Sequence, residues 1–301
     1  MNLMNEHWAE ALQTSTPKTS SAGIKLALCD FAVCEVSGSD ALSFLHGQLC
    51  ADLNALGEQR GVLTAWCSPK GRVLFLVTVL RQADRLWLLV PAGAAENLVR
   101  RLNMFVLRAD VQLSDKSADY AAIQVFGDEL NEVDADVRHF TDGGTHWLLA
   151  PGSKLAETWR SIDVEAAVGG SANRALIDRG IPTLGAQLSD QFLPQELNLD
   201  QGAGLSFDKG CYPGQEIIAR VKFRGAVKRR LARMHANSGD APEAGAEIVT
   251  ADTAEKCGTV LSAATRPDDS VDVLAVLNVN ATDTGFRLAH EPGLVLSRLD
   301  S

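Results

Sequence analysis

One cysteine in this sequence lies among residues that could make a thiol reactive. Cys211 occurs in the segment 207–216, which reads FDKGCYPGQE. Lys209 puts a positive charge two residues from the sulfur, and Pro213 suits the first position of a helix that would begin there. A nearby cation and a helix N-terminus both favour the thiolate, the form of cysteine that attacks electrophiles and binds metals. The pattern predicts that Cys211 acts as a nucleophile or as a transient sulfur or metal contact, with Lys209 as its activating cation.

The ordinary alternative is that Cys211 is a small buried hydrophobic residue, as free cysteines often are. Gly210 and Gly214 favour the functional interpretation, because glycine lets the backbone turn tightly and come close to another group. Glu216, in the first turn of the expected helix, suits the positive end of the helix dipole. Segment 207–216 is the one place in the sequence where the surrounding residues would make a side chain reactive.

Residues 209–216 resemble the signature of the YgfZ-type folate-binding proteins, which are related to the aminomethyltransferase (T-protein) of the glycine cleavage system. The similar positions are Lys209-Gly210-Cys211-Tyr212 and Gly214-Gln215-Glu216. The resemblance continues upstream through 191–199 and downstream through 220–225, and a weaker match covers most of the N-terminal half. It implies an α+β fold with two mixed α+β lobes of the aminomethyltransferase folate-binding type and a C-terminal small β-barrel, arranged around a central opening.

Composition along the 301 residues agrees with this division. A polar stretch predicts a flexible N-terminal segment at 1–22. Strands, hairpins and helices are then mixed as in α+β domains, and short strands separated by Gly, Pro and Asp follow. We expect a first α+β lobe at 23–117, a second lobe carrying the motif at 118–227, and the β-barrel at 228–301.

Hydrophobic periodicity and turn residues predict the elements that position the motif. Strands at 61–67 and 73–80 should form a hairpin, because Ser68-Pro69-Lys70-Gly71 is typical turn chemistry. The other predicted strands are 26–36, 86–90, 121–126, 146–150, 256–262, 271–279 and 294–299. The predicted helices are 41–50, 94–107, 153–159 and 173–179, and Phe105 is expected on the apolar side of the second of these.

The resemblance implies that a tetrahydrofolate lies in the opening, bordered by the Cys211 loop. Such a site needs an apolar wall for the pterin, amides or carboxylates for its ring nitrogens, and basic groups for the glutamate tail. Phe31 is the expected stacking residue, and Tyr212 would form a wall beside the thiol. The expected polar partners are Gln195, Glu196, Gln215 and Glu216, and the expected tail ligands are Arg220 and Arg224.

Several of these residues also have an ordinary structural interpretation. A phenylalanine in a strand, such as Phe31, is most often a core residue. Glu216 and Arg220 are four apart and could form a pair on the surface of a helix. Glu196 could be an exposed loop acid.

The resemblance to the aminomethyltransferase fails at one catalytic position. In that enzyme a Gly-Gly-x-x-Asp segment supplies an aspartate that assists attack on the aminomethyl intermediate. The corresponding segment here, 70–75, reads KGRVLF. Because an apolar side chain cannot polarise a group or accept a proton, we expect that this chain is not an aminomethyltransferase, although the folate pocket is retained.

The formal net charge of −10 argues against a general nucleic-acid-binding protein. The strip 220–233 is a local exception, because it contains seven basic residues and no acid. It predicts an anionic ligand or a weak contact with tRNA; the alternative is a solvated face whose arginine stems cover apolar surface. The basic residues are Arg220, Lys222, Arg224, Lys228, Arg229, Arg230 and Arg233.

The six cysteines and six histidines lack the close spacing of metal sites. We therefore expect no metal ligand set, and no disulfide framework, as in a reducing compartment. No apolar run approaches the roughly eighteen residues that a membrane span needs. The first residues also lack the features of a signal peptide, so a cytoplasmic location without membrane contact is expected.

The leading hypothesis is a folate-binding accessory protein that supports the assembly or repair of iron–sulphur enzymes, including tRNA-modifying ones. The resemblance implies this role, with folate and iron–sulphur client enzymes or assembly proteins as partners. One alternative is a folate-dependent one-carbon transferase of the aminomethyl type acting on an unknown substrate. Another is an interaction module that kept the fold and lost the ligand.

Overall fold

The computed structural model describes residues 6–14, 23–27, 31–127, 130, 133–142, 144–281, 285–291 and 293–299. The chain divides into two compact units. Unit 1 comprises Met1–Thr64 and Phe75–Gly169, and unit 2 comprises Ala65–Leu74 and Gly170–Ser301. Residues 118–169 of the second predicted lobe lie in unit 1 and residues 170–227 in unit 2, and the tip of an N-terminal hairpin belongs to unit 2. The predicted lobe boundaries stay a prediction.

Unit 1 is built on two five-stranded sheets, with strand orders β10-β1-β7-β9-β8 and β3-β4-β5-β2-β6. In the first sheet β1 pairs with β10 in parallel, and its other pairings are antiparallel. The strands are β1 (Ile24–Ala27), β2 (Phe31–Ser37), β3 (Gly61–Cys67), β4 (Val73–Gln82), β5 (Arg85–Pro91), β6 (Gln112–Asp115), β7 (Tyr120–Phe126), β8 (Arg138–Asp142), β9 (Thr145–Pro151) and β10 (Glu165–Ala167). The helices are α1 (Glu6–Gln13), α2 (Ala41–Gln48), α3 (Ala95–Asn103) and α4 (Gly152–Ser161).

Strand β7 shows why both faces of its sheet are buried. Ile123 and Val125 point into a cluster that includes Trp8 of α1 and Trp159 of α4. Ala122 points to the other face, where it joins a cluster that contains Trp87 of the second sheet. Because alternate side chains of a strand face opposite sides, one strand supplies both cores of unit 1.

Two expectations for the N-terminal part are wrong. The predicted strand 26–36 consists of two strands in different sheets, β1 beside β7 and β2 beside β5, and residues 28–30 lie outside the described residues. The segment 1–22, expected to be flexible, contains helix α1, which buries Trp8. The Trp8 ring packs edge to face on that of Trp159, with 5.6 Å between the ring centres.

The predicted helix 94–107 ends at Asn103, and the residues that follow it are not core. Phe105 is 48% exposed and Leu107 86% exposed. Strands β6, β8 and β10 were missed, because they are short and polar (QLSD and RHFTD) or short and alanine-rich (EAA) and so lack the apolar alternation that marks a strand.

Unit 2 contains a closed six-stranded barrel with the strand order β11-β14-β13-β12-β15-β16, which confirms the predicted C-terminal barrel. Met234, Ile248 and Phe286 lie in its core. The strands are β11 (Arg229–Ala236), β12 (Glu247–Thr250), β13 (Lys256–Thr265), β14 (Val271–Asn278), β15 (Phe286–Leu288) and β16 (Val295–Arg298). Two helices precede the barrel, α5 (Gly170–Asp178) and α6 (Gln215–Arg224). Within the described part of the chain, none of the helices is long and apolar enough to cross a bilayer.

Candidate functional site

Cys211 is exposed, whereas Lys209 and Tyr212 of the same loop are buried. Tyr212 is buried and its hydroxyl donates to the carbonyl of Ser206 at 3.2 Å. The ammonium of Lys209, also buried, lies 5.1 Å from the centre of the Tyr212 ring. The loop is therefore held from both sides while the sulfur faces solvent, and activation of the thiol by Lys209 stays a prediction.

The other described cysteines differ from Cys211 in burial. Cys34, Cys50, Cys67 and Cys257 are all buried. Burial raises the pKa of Cys34 to about 12, and the charge of Asp115 adds to that effect. Burial also raises the pKa of Cys257. Among the described cysteines, Cys211 is thus the one whose sulfur a reagent can reach.

The helix after the motif begins later than predicted. Gly214 is the N-cap of α6, with a left-handed φ of +82°, and the helix starts at Gln215. Pro213 consequently lies outside the helix and not at its first position. Glycine adopts a left-handed backbone without the steric cost that a side chain would add, so Gly214 can turn the chain sharply into α6.

The turn of the β3–β4 hairpin packs directly against that N-cap. A Cβ atom on Gly214 would lie 2.5 Å from Cα of Gly71 and 2.6 Å from the carbonyl oxygen of Ser68. Gly71 itself has φ of +72°, and its N–H donates to Ser68 at 2.8 Å. Two backbones can approach this closely only where neither carries a side chain, so the tertiary structure brings two segments distant in sequence into contact beside the thiol loop.

A third segment, 189–196, joins the same hairpin by backbone pairing. The N–H of Val73 donates to the carbonyl of Phe192, and the N–H of Asp190 donates to the carbonyl of Val73, both at 2.8 Å. The hydroxyl of Ser68 donates to the carboxylate of Asp190 at 2.7 Å. Asp190 was not predicted from the sequence as a site residue. Its carboxylate contacts the turn of the β3–β4 hairpin, and the hairpin segment 70–75 contains no carboxylate of its own. The one hint in the sequence is that Asp190 directly precedes the stretch 191–199, which resembles the family.

Gln195 and Glu196 are buried, so the interpretation of Glu196 as an exposed loop acid is wrong. Arg229 donates to both carboxylate oxygens of Glu196, at 2.9 and 3.1 Å, and the N–H of Leu193 donates to it at 2.9 Å. The amide nitrogen of Gln195 donates to the carbonyl of Ile218 in α6 at 2.8 Å, while its oxygen has no hydrogen-bond partner. These two side chains hold the segment in place, and their contact with a pterin stays a prediction.

The predicted basic strip is not one surface. Arg229 pairs with Glu196, and Arg230 pairs with both carboxylate oxygens of Asp200 at 2.5 and 3.0 Å. Arg233 donates to the carbonyl of Asp178 at 2.6 Å. These three arginines are therefore used inside unit 2, as the alternative interpretation of the strip allows, and an anionic ligand or tRNA contact at 220–233 stays a prediction.

The remaining predicted contacts are more accessible. Gln215 donates to the carbonyl of Lys209 at 3.4 Å. Glu216 and Arg220 form an exposed i,i+4 pair at 3.2 Å, as their alternative interpretation predicted, and Arg224 is exposed. Phe31 belongs to unit 1, where it is partly buried against the core cluster that includes Val33 and Trp87. Among the described residues, no group of three or more His, Cys, Asp or Glu side chains could hold a metal ion.

Comparison with known proteins first defines the class. Residues 5–142 match the GCVT N-terminal domain. The whole chain also superimposes on the aminomethyltransferase T of the glycine cleavage system from Bartonella henselae with a TM-score of 0.70, covering 98% of this chain and 88% of that one at 15% identity. The protein therefore has the fold of the glycine cleavage T-protein.

Sequence relatives then define the family. The chain is 32% identical to the tRNA-modifying protein YgfZ of Enterobacter sp. strain 638, covering 87% of this chain and 88% of that protein. It is 28% identical to the tRNA-modifying protein YgfZ of Yersinia pestis strain Pestoides F, covering 90% of this chain and 91% of that protein. The chain belongs to the YgfZ family.

Proposed function

We propose that this protein binds a tetrahydrofolate derivative and supports the assembly or repair of iron–sulphur enzymes, including enzymes that modify tRNA. Membership of the YgfZ family, whose relatives are named for tRNA modification, and the T-protein fold support this proposal. The observation that carries it is the exposed sulfur of Cys211 on a loop fixed by buried Lys209 and Tyr212. A fixed loop presents the thiol in one position to a client protein or to a bound cofactor.

The groups around the motif fit a folate. Arg220 and Arg224 are exposed cations that match the carboxylates of a glutamate tail. Gln215 and Glu216 offer an amide and a carboxylate for a pterin, and Phe31 stays the predicted stacking residue. We assign Gln195 and Glu196 a positioning role, because both are used in holding the segment beside α6.

Replacement of the thiol tests the functional part of the proposal. Cys211→Ser should abolish activity in a complementation assay, while the variant keeps the wild-type unfolding transition, because the side chain is exposed and its removal leaves no cavity. Titration of folate into wild type and Cys211→Ser separates the pocket from the thiol. We expect equal folate affinity for the two proteins. Full activity of the variant would refute the role of Cys211, and absence of folate binding to wild type would refute the cofactor.

Alkylation kinetics test whether the thiol is activated. Iodoacetamide should modify Cys211 quickly in the folded protein, because an activated thiol reacts as the thiolate, which is the nucleophile. Cys34 is the internal control: its burial and raised pKa should protect it until the protein unfolds. Alkylation of Cys211 no faster than that of a free cysteine thiol would contradict activation by Lys209 and the helix N-terminus.

A one-carbon transferase of the aminomethyl type is the second candidate, favoured by the T-protein fold. Against it, the segment 70–75 has a leucine or a phenylalanine, Leu74 or Phe75, where the T-protein has its catalytic aspartate, and neither side chain can polarise a group or accept a proton. Turnover of methylene-tetrahydrofolate by the purified protein would support the transferase. Binding without turnover would support the accessory role.

A further inference from the structure

We infer that the exposed end of α6 and the start of the motif form a surface that binds unpaired nucleotides of an RNA. The surface, called here the α6 surface, consists of Phe207, Lys222, Phe223 and Lys228, with Arg224 beside it. This inference rests on the proposed function, because it names the chemistry of a partner for a protein that serves tRNA-modifying enzymes. It replaces the broader strip 220–233, whose last arginines are engaged internally.

The α6 surface contains one exposed aromatic ring, that of Phe223, and one half-buried ring, that of Phe207. Phe223 is 70% exposed, although an exposed ring of this size is costly in water. Its ring lies 6.1 Å from that of Phe207 at an interplanar angle of 73°, so the two rings pack edge to face. Helix α6 buries only Ile218 among its residues. Phe223 is thus exposed although it lies within a helix. Contact with Phe207 holds its ring in place, as stacking of a base on the ring requires.

One cation contacts the Phe207 ring, and two further exposed cations, Arg224 and Lys228, follow Phe223 in sequence. The ammonium of Lys222 lies 5.2 Å from the centre of the Phe207 ring. Within the part of the chain that the structure describes, Lys222, Arg224 and Lys228 form no ion pair with a carboxylate, unlike Arg229 and Arg230. These charges are uncompensated in a chain whose formal net charge is −10.

Acidic side chains border the α6 surface without neutralising it. Asp208 and Glu216 are exposed, and Glu216 is paired with Arg220. Counting Lys222, Arg224 and Lys228 against Asp208 leaves an excess of positive charge at the rings. A polyanion is therefore attracted to this place, although most of the molecule repels it.

Single-stranded RNA satisfies both features at once. Its bases expose faces that stack on aromatic rings, and its phosphates pair with lysine and arginine. A duplex hides the base faces and would leave Phe223 in water. An acidic protein could pair with the cations, but it lacks the regular series of planar groups by which every nucleotide offers a base to stack on Phe223. Single-stranded DNA shares the stacking and phosphate chemistry, so the experiment must compare the two nucleic acids.

Fluorescence anisotropy with a labelled, mixed-sequence RNA strand of about twelve nucleotides tests the inference. The full-length protein is titrated without folate at about 50 and about 200 mM KCl, and binding should weaken as salt rises. Phe223→Ala should weaken binding by roughly 5- to 150-fold while keeping the salt dependence, because stacking is not ionic. Lys222→Gln should lower the slope of log affinity against log salt by about 0.7. Phe223→Trp should retain binding.

Matched controls come from unit 1. Leu107→Ala removes an apolar side chain that is even more exposed, and Arg100→Gln removes an exposed cation. Neither should change RNA affinity. A competing duplex RNA should bind more weakly than the single strand, and a DNA strand of the same sequence shows whether the 2′-hydroxyl contributes. Equal affinity for DNA would limit the assignment to single strands in general and would overturn the choice of RNA.

Two outcomes would overturn the inference. One is that wild type does not bind RNA at low salt, and the other is that Phe223→Ala binds RNA with unchanged affinity. Loss of complementation in Phe223→Ala without any RNA binding would assign the α6 surface to a protein partner. The test does not depend on the proposed cofactor or thiol, since Cys211→Ser should bind RNA as wild type does. RNA binding without folate binding would refute only the proposed function.

Discussion

Gly210 and Gly214 flank the same thiol, yet only one of them is required by the backbone. Gly214 has a left-handed φ and lies so close to Gly71 and Ser68 that a side chain would overlap their backbone atoms. Gly210 has no heavy atom within 4 Å of the place that its Cβ would occupy, and its φ lies outside the left-handed region. The sequence pattern made the two glycines look equivalent, and their surroundings separate them.

Gly214→Ala should therefore destabilise the protein more than Gly210→Ala. A side chain in the left-handed region costs about 1–2 kcal/mol, and the contact with Gly71 adds to that cost because backbone atoms cannot move aside easily. Urea unfolding measures the difference between the two variants. Gly210→Ala should stay within about 0.5 kcal/mol of wild type. Equal loss in both variants would show that the contact between the hairpin turn and the helix N-cap does not constrain the fold.

At the scale of elements, the β8–β9 hairpin carries a pair of histidines that pattern reading did not mark. Nε2 of His139 and Nδ1 of His146 lie 3.0 Å apart, and the rings stack at 5.2 Å. Burial lowers the pKa of His139, and the charge of His146 lowers it further. Nε2 of His146 is buried without a hydrogen-bond partner. The folded hairpin thus favours the neutral form of His139.

This pair predicts that stability falls in mild acid. The unfolded chain binds a proton on His139 at about pH 6.5, whereas the folded chain binds it only at lower pH. Below pH 6.5 the unfolded state therefore holds more protons, and the free energy of unfolding decreases as pH falls. The contribution is fully present above that pH. Urea unfolding between about pH 8 and 5.5 should show a smaller decrease for His139→Gln than for wild type. Identical pH profiles would contradict the contribution of His139.

At the scale of the whole molecule, the hairpin tip 65–74 belongs to unit 2 although most of β3 and β4 is counted with unit 1. Its backbone pairs with 189–196, and its turn supports the N-cap of α6. The thiol loop therefore depends on residues that are distant from it in sequence. The barrel strands make their pairings among themselves.

Residues 170–301 expressed alone should keep the barrel and lose order at the site. The amide of Asp190 donates to the carbonyl of Val73, so the fragment lacks its acceptor and hydrogen exchange at Asp190 should be much faster than in the full chain. Amides of β14, which pairs with β11 and β13, serve as the control and should exchange equally slowly in both proteins. Equal protection of Asp190 in the fragment would show that 189–196 is ordered without the hairpin.

The sequence by itself determined the local features of this protein. Alternating apolar residues and turn chemistry predicted the β3–β4 hairpin, three of the six barrel strands (β13, β14 and β16) and α5, and the thiol motif was readable as a contiguous segment. These are properties of neighbouring residues, which fix backbone preference and periodicity. The same reasoning failed for α1, which was expected to be flexible, and for 26–36, which was expected to be one strand. In both cases the outcome depends on which surfaces of other elements are available for packing.

Only the tertiary structure decided which predicted site residues face solvent. Glu196 and Arg229 look like a loop acid and a surface cation until folding pairs them, and Gly214 looks equivalent to Gly210 until Gly71 is placed against it. Burial and pairing arise between segments far apart in sequence, and no local pattern specifies the partner. Cys211 stays exposed while its neighbours are buried for the same reason: the groups that cover Lys209 and Tyr212 are brought there by the fold.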